Sequence, residues 1–246
     1  MVPQSGDVYW PLMTSLDYLC PGFVYTRSFK GGVGDRRSMA EKARPKPGET
    51  REKLMEAALV LVGKGRHFAS LGIREVTRQA GVVPTSFYRH FGHMDDLGLQ
   101  LVDRLGLVLR RMMREARSNV LTADKLIDES VGIFVSHAQN NRSFFMFMAQ
   151  GLAGESRAVQ EGIRSEMRYF ASELANDLRR LRVVEHLNDA DLDMTCDLVV
   201  RSVAFSLTDL LGIAPDDEYS IEQVRKRTAR FLQLIFVGAA NWHREG

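Results

Sequence analysis

The chain has 246 residues, 45% hydrophobic and 26% charged, a balance that excludes neither a single large globular domain nor two modest ones and leaves ample material for a core. Its formal net charge of +2 is too mild to mark a nucleic-acid partner, so only the local placement of charge is informative. Cys20 and Cys196 form no CxxC or Cys/His spacing, no run approaches the roughly 18 apolar residues of a transmembrane helix, and no basic flank leads into an apolar signal segment. A disulfide framework, a metal site and a membrane partner are therefore not expected, and a reduced cytoplasmic setting is.

Residues 1–38 are interrupted by Pro3, Pro11 and Pro21 and close on Gly31, Gly32 and Gly34, with no surviving helical or strand period. This stretch reads as a disordered extension, or as sequence upstream of a natural start at Met39. Residues 39–49 read as a basic arm carrying Lys42, Arg44 and Lys46, kept out of a helix by Pro45 and Pro47.

From Thr50 onward the apolar positions recur at helical spacing and no segment alternates with period two, so the fold class is all-α. Thr50 is the expected N-cap of a first helix burying Leu54, Ala57, Ala58 and Leu61 and ending at Gly63 and Gly65. A short helix from Leu71 to Ala80, a turn at Gly81 and a second short helix opening on Pro84 follow, completing a domain over 50–94. A linking helix occupies about 95–118. Beyond it, the spans 124–140, 142–150, 156–181, 189–211 and 221–244 read as the helices of a bundle over 119–246. Two of them carry apolar stripes: Ile163, Met167, Phe170, Leu174, Leu178 and Leu181, and then Val224, Thr228, Phe231, Leu232, Ile235, Phe236 and Ala239.

Two short helices joined by a tight Gly turn have the form of a helix-turn-helix. Ile73, Val76 and Ala80 pack the first helix inward, Val82 plugs the turn, and Phe87 and Phe91 anchor the second. Thr85, Ser86, Arg89 and His90 then fall on the outer face, where hydroxyls and a guanidinium suit base edges in a major groove. Tyr88 and His90 suit phosphate oxygens, and Lys46, Arg51 and Lys53 extend that contact.

The run REVTRQAGVVPTSFYRHFGHMDDL resembles the DNA-binding signature of the TetR family of bacterial repressors, over about Arg51 to Leu101. The resemblance implies an N-terminal helix-turn-helix domain, a C-terminal effector-binding and dimerisation bundle, and recognition contacts at Thr85, Ser86, Tyr88, Arg89 and His90. It also implies a cytoplasmic homodimer on an inverted-repeat operator in double-stranded DNA, with the last two long helices forming the interface. The chain departs from the pattern at Val83 and Gly72, where Ser or Thr is common. FASLGIREV, PTSFYRHF, DDLGLQLVD and GLVLRRMMREAR are similar to the subgroup of FabR- and DesT-type repressors of unsaturated fatty acid synthesis. That similarity implies a long-chain acyl-CoA or acyl-carrier protein as effector.

The expected lining of an acyl site is Phe134, His137, Arg142, Phe144, Phe147, Met148, Met167 and Phe170, because aromatic and Met side chains can enclose an alkyl chain. Phe and Met at this spacing are more often plain core, and His137 reads at least as well as a hydrogen-bonded core histidine. Arg142, Arg157 and Arg164 are candidates for a polar head group or ordinary surface residues. Arg104, Arg110, Arg111, Arg114 and Arg117 read as a solvated face of the linking helix, with DNA contact the rival. No GxSxG, HExxH, P-loop or CxxC motif occurs, and the acidic residues are scattered, so no catalytic residue, cofactor or metal is assigned and the chain is not read as an enzyme. A ligand-independent DNA-associated scaffold and a repressor of another hydrophobic effector remain the alternatives.

Overall fold

The computed structural model describes residues 48–119, 123–154, 156–182 and 184–242. The extension 1–38 and the arm residues Lys42, Arg44, Pro45, Lys46 and Pro47 lie outside them. Among the described residues the protein is all-α, with nine α-helices and no strand: α1 Glu49–Gly63, α2 Ile73–Gln79, α3 Pro84–Phe87, α4 Met94–Asn119, α5 Ala123–Asn140, α6 Arg142–Leu152, α7 Arg157–Leu181, α8 Asp189–Gly212 and α9 Glu218–Ala240.

Helix α1 starts one residue before Thr50, which lies inside it and caps nothing. Gly48 stands at the N-cap with φ 90°, a left-handed conformation cheap for glycine, and its carbonyl accepts the Glu52 N–H at 3.1 Å. The far end closes by two returning bonds, Gly65 N–H to the Val62 carbonyl at 2.9 Å and Arg66 N–H to the Leu61 carbonyl at 3.1 Å. Helix α2 begins at Ile73 and not at Leu71, because a 3-10 turn over Phe68–Ser70 uses the Ser70 and Leu71 N–H groups and leaves Leu71 extended.

Helices α4, α7, α8 and α9 are capped by side chains at their starts. Asp96 reaches back from the first turn of α4 to the Gly92 and His93 N–H groups at 2.8 and 3.2 Å. Ser156, Asn188 and Asp217 accept from Val159, Asp191 and Ser220 at the starts of α7, α8 and α9. The Ser156 hydroxyl also donates to Asp95 of α4 at 2.7 Å, tying the two helix starts together.

One core runs from the helix-turn-helix into the bundle: Leu54, Phe87, Leu97, Leu101, Phe145, Phe147, Ile163 and Leu207 all belong to it. A smaller core joins Ala175 and Leu178 of α7 to Cys196 and Val200 of α8. Helix α4 lies along α7, α5 closes on α9 and α4, α8 packs between α7 and α9, and α6 lies against α1. The α7 stripe ends before Leu181, which is exposed where Arg182 at φ 53° terminates the helix. In α9 Phe231 faces outward in place of the inward position its spacing predicts. No helix among the described residues is long and apolar enough to cross a membrane.

Candidate nucleic-acid interface

The helix-turn-helix head is built from its anchors outward. Val76 and Phe87 are fully buried and Phe91 nearly so, with Ile73, Ala80 and Val82 packed against the same core. The turn is closed by the Gly81 N–H to the Arg78 carbonyl at 3.2 Å and the Val82 N–H to the Thr77 carbonyl at 2.9 Å, with Gly81 at φ 68°. Pro84 occupies the first position of α3, where its missing N–H is no loss.

Helix α3 is only four residues long, yet the chain keeps turning: the His90 and Phe91 N–H groups both bond the Phe87 carbonyl at 2.9 Å. Phe87 and Phe91 lie 5.4 Å apart between ring centres, so the segment is pinned by two adjacent aromatic anchors. Thr85, Tyr88, Arg89 and His90 are exposed and Ser86 is half-buried. Among the described residues no hydrogen-bond or ionic partner engages the side chains of Thr85, Ser86 or Arg89. Four of the five sequence-predicted contact residues are thus exposed around the Phe87 anchor, with Ser86 half-buried among them.

The flanking cations are placed differently. Arg51 is half-buried and donates to Gln100 of α4, and Lys53 pairs with Glu49 one turn earlier at 2.7 Å. Lys46 lies outside the described residues. Two exposed guanidinium groups that the sequence reading passed over, Arg74 and Arg78, stand one helical turn apart on α2 with no ionic partner among the described residues. Their signal was legible: in α2 Val76 and Thr77 face inward, which leaves positions 74 and 78 outward.

On α4 three of the five arginines are structural ties. Arg104 meets Glu52 of α1 at 2.5 Å, and Arg110 meets Glu166 of α7 at 3.2 Å while lying over the Tyr169 ring. Arg117 meets Asp177 and Glu173 at 2.7 and 3.0 Å; the hydrogen bond from Arg117 to Asp177 raises its pKa above the ordinary value. Arg111 and Arg114 are exposed.

The candidate lining residues of the bundle sit in its packing. Phe134 is buried, edge-on to Phe145 at 6.1 Å, while Phe147 is turned the other way, edge-on to Phe68 of the 3-10 turn at 5.0 Å. Met148 is buried, and Phe144, Met167 and Phe170 are half-buried. His137 Nε2 lies 2.8 Å from a Glu115 carboxylate oxygen on α4. Arg142 donates to the carbonyls of Leu211 and Ile213, the latter at 2.9 Å, so it closes the C-terminus of α8. Arg157 is exposed and Arg164 pairs with Glu161 at 3.5 Å. A cavity of about 30 Å³ lies between the 3-10 turn and α6, beside Phe68, Gln150 and Val159. A groove of about 270 Å³ runs between α8 and α9, lined by Met194, Leu198, Leu234, Ile235 and Trp242. Among the described residues no cluster of His, Cys, Asp or Glu is placed to hold a metal.

Residues 123–238 match the family model of the tetracyclin repressor-like C-terminal domain. The fold is shared with solved structures of low sequence identity. The fatty acid degradation regulator FadR of Bacillus halodurans is 14% identical, with a TM-score of 0.62 over 81% of this chain and 100% of that one. FadR of Bacillus subtilis, solved in complex with stearoyl-CoA, is 14% identical, with a TM-score of 0.60 over 74% and 96%. The TetR-family transcriptional regulator PfmR of Thermus thermophilus is 17% identical, with a TM-score of 0.53 over 74% and 97%.

Proposed function

We propose that this chain, which has the fold of the TetR-type regulators and carries a tetracyclin repressor-like C-terminal domain, is a DNA-binding transcriptional repressor that docks on an inverted-repeat operator as a homodimer. The observation that carries this is the recognition segment. Phe87 and Phe91 are spent on anchoring, and Thr85, Arg89 and His90 face outward with Ser86 beside them. A segment this short has no need of those polar residues for its own packing. In a major groove Arg89 and Thr85 read base edges, while Tyr88, Arg74 and Arg78 hold phosphates and set the register.

One such segment reads few base pairs, and a two-fold dimer doubles the reading. The surface that suits a second copy is on α8 and α9, where Met194, Leu198, Phe205, Leu234 and Val237 are each at least half exposed. Burying such a contiguous apolar face is the driving force for pairing.

The effector we propose is a long-chain acyl thioester, acyl-CoA or acyl-carrier protein, with fatty acid synthesis or desaturation genes as targets. Its support is the Phe- and Met-rich packing of α5 and α6 and the fold shared with FadR, one of whose structures contains stearoyl-CoA. An alkyl chain entering there has to part Phe134 from Phe145. Each methylene buried contributes about 0.8 kcal/mol, so chain length should govern affinity. The effector works only if it favours one spacing of the two reading heads over another.

The test is operator selection from a random duplex library with the full chain, followed by titration with acyl-CoAs graded in length and unsaturation. Enrichment of a palindrome, steep loss of binding with salt and a chain-length-dependent change in affinity are the expected results. Enrichment without any response to acyl-CoA, together with a response to an unrelated hydrophobic compound, removes the fatty-acid reading. A monomer that binds a single half-site removes the dimer.

A further inference from the structure

Among the described residues, two large apolar side chains between positions 48 and 93 face solvent, Val83 and Tyr88, each 62% exposed. Both belong to the recognition segment. Tyr88 has a physical account: its ring packs edge-on against Phe87 at 5.8 Å, and its hydroxyl is left for a phosphate. Val83 has none among the described residues. It is extended at φ −77° and ψ 148°, its carbonyl accepts the Ser86 N–H at 2.9 Å, its side chain supplies no cap to α3, and Pro84 follows it. The plug of the turn is its neighbour Val82, which packs against the core.

A Ser or Thr at this position would supply the missing cap oxygen. Valine forgoes that bond and holds two methyl groups in water at the leading end of the helix, beside the exposed Thr85. The second cost vanishes if the methyls meet an apolar partner when the helix docks. Of the groups a base pair presents in the major groove, one is apolar: the 5-methyl of thymine. Against any other base, the same methyls would cover a donor or acceptor without pairing it.

We propose that Val83 is a specificity-determining residue, packing on the 5-methyl group of a thymine at one position of each operator half-site. This rests on the DNA-binding reading above. The contact adds to the polar contacts of Thr85 and Arg89 and selects thymine at a position those residues do not specify.

The test uses the operator duplex enriched by the full chain, with each thymine replaced in turn by deoxyuridine, which removes the 5-methyl and keeps the pairing. At one position per half-site the wild-type chain should lose about fourfold in affinity, and about fifteenfold when both half-sites are changed, as expected for about one buried methyl each. Val83→Ala and Val83→Ser should bind the thymine and uracil duplexes alike. Val83→Ser also supplies a side-chain cap oxygen, so its loss of discrimination cannot come from a frayed helix. The wild-type comparison needs no variant at all, so a variant that folds poorly leaves the inference exposed to refutation. An operator that is enriched but indifferent to every thymine methyl overturns this inference alone. So does a uracil penalty that persists in Val83→Ala. A chain that enriches no sequence overturns the DNA-binding reading and this inference with it.

Discussion

Replacing Gly98 by alanine would add one methyl where the first turns of α4 meet α7 and the 3-10 turn. The new Cβ would lie 2.5 Å from Cγ2 of Val159 and 2.9 and 3.0 Å from Cε1 and Cζ of Phe68. In an open helix interior the change should stabilise by about 1 kcal/mol. Here the neighbours cannot easily retreat. Val159 is β-branched and helical, and the Phe68 ring is held edge-on by Phe147 at 5.0 Å. Overpacking of a close-packed site costs about 1 to 3 kcal/mol, and with two stiff neighbours the upper end applies. The net loss is about 2 kcal/mol, or a melting temperature lower by roughly 4 to 8 °C for a chain of this size. Gly132 is the control. It is helical, a Cβ there meets nothing within 4 Å, and Gly132→Ala should raise the melting temperature by about 2 to 4 °C. Differential scanning calorimetry of both variants decides. Gly98→Ala melting at or above the wild type would refute the packing argument.

Arg142→Ala should cost about 2 kcal/mol in urea unfolding, because the Leu211 and Ile213 carbonyls lose a charged donor; a cost below roughly 0.5 kcal/mol would return Arg142 to the ligand candidates. The Asp217 carboxyl is held below its ordinary pKa by hydrogen bonding from Ser220 at the N-terminus of α9. Its contribution is therefore complete above the ordinary carboxylate range and is lost as pH falls through the lowered folded value. Asp217→Asn should flatten the acid limb of the stability curve in that window, and an unchanged limb would show that the cap contributes nothing. Burial, reinforced by the charge of Asp193, pushes the Cys196 thiol up to about 12. In a Cys20→Ser background, Cys196 should resist a thiol reagent at neutral pH until the chain is unfolded; rapid labelling of the native protein would contradict its burial.

Much of this architecture was legible in the sequence because it depends on short-range pattern. The Gly81 turn, Pro84 at a helix start and the Phe87/Phe91 pair fix the recognition segment locally, and the outward position of Thr85 and Arg89 follows from which neighbours face in. What escaped depends on residues far apart in the chain. Arg142 looked like a candidate for a ligand head group until α8, about seventy residues on, placed two carbonyls against it. Phe147 sat in a run of aromatics that read as one lining, but helical spacing cannot say which neighbour each ring will face, and this one faces Phe68. Thr50 failed as a cap for a local reason: a glycine two residues earlier turned the chain first.

The same long-range contacts join the bundle to the helix-turn-helix head. Helix α4 follows the head directly in the chain, and Arg104 and Arg110 tie it to α1 and α7. A second connection runs through α6. The side chain of Gln150 accepts the Phe68 N–H at 3.1 Å and donates to the Arg66 carbonyl at 3.2 Å, so it holds both sides of the loop that sets the start of α2. Phe147, one turn earlier on α6, holds the ring of Phe68, and Ser143 lies so close to Gly63 that a Cβ there would stand 2.6 Å from its hydroxyl. Helix α6 also carries Phe145, the partner of Phe134. Any movement of α6 at that pair would therefore act directly on the loop before α2, without first bending α4. Close-packed contacts of this kind pass on small displacements because their neighbours have little room to absorb them.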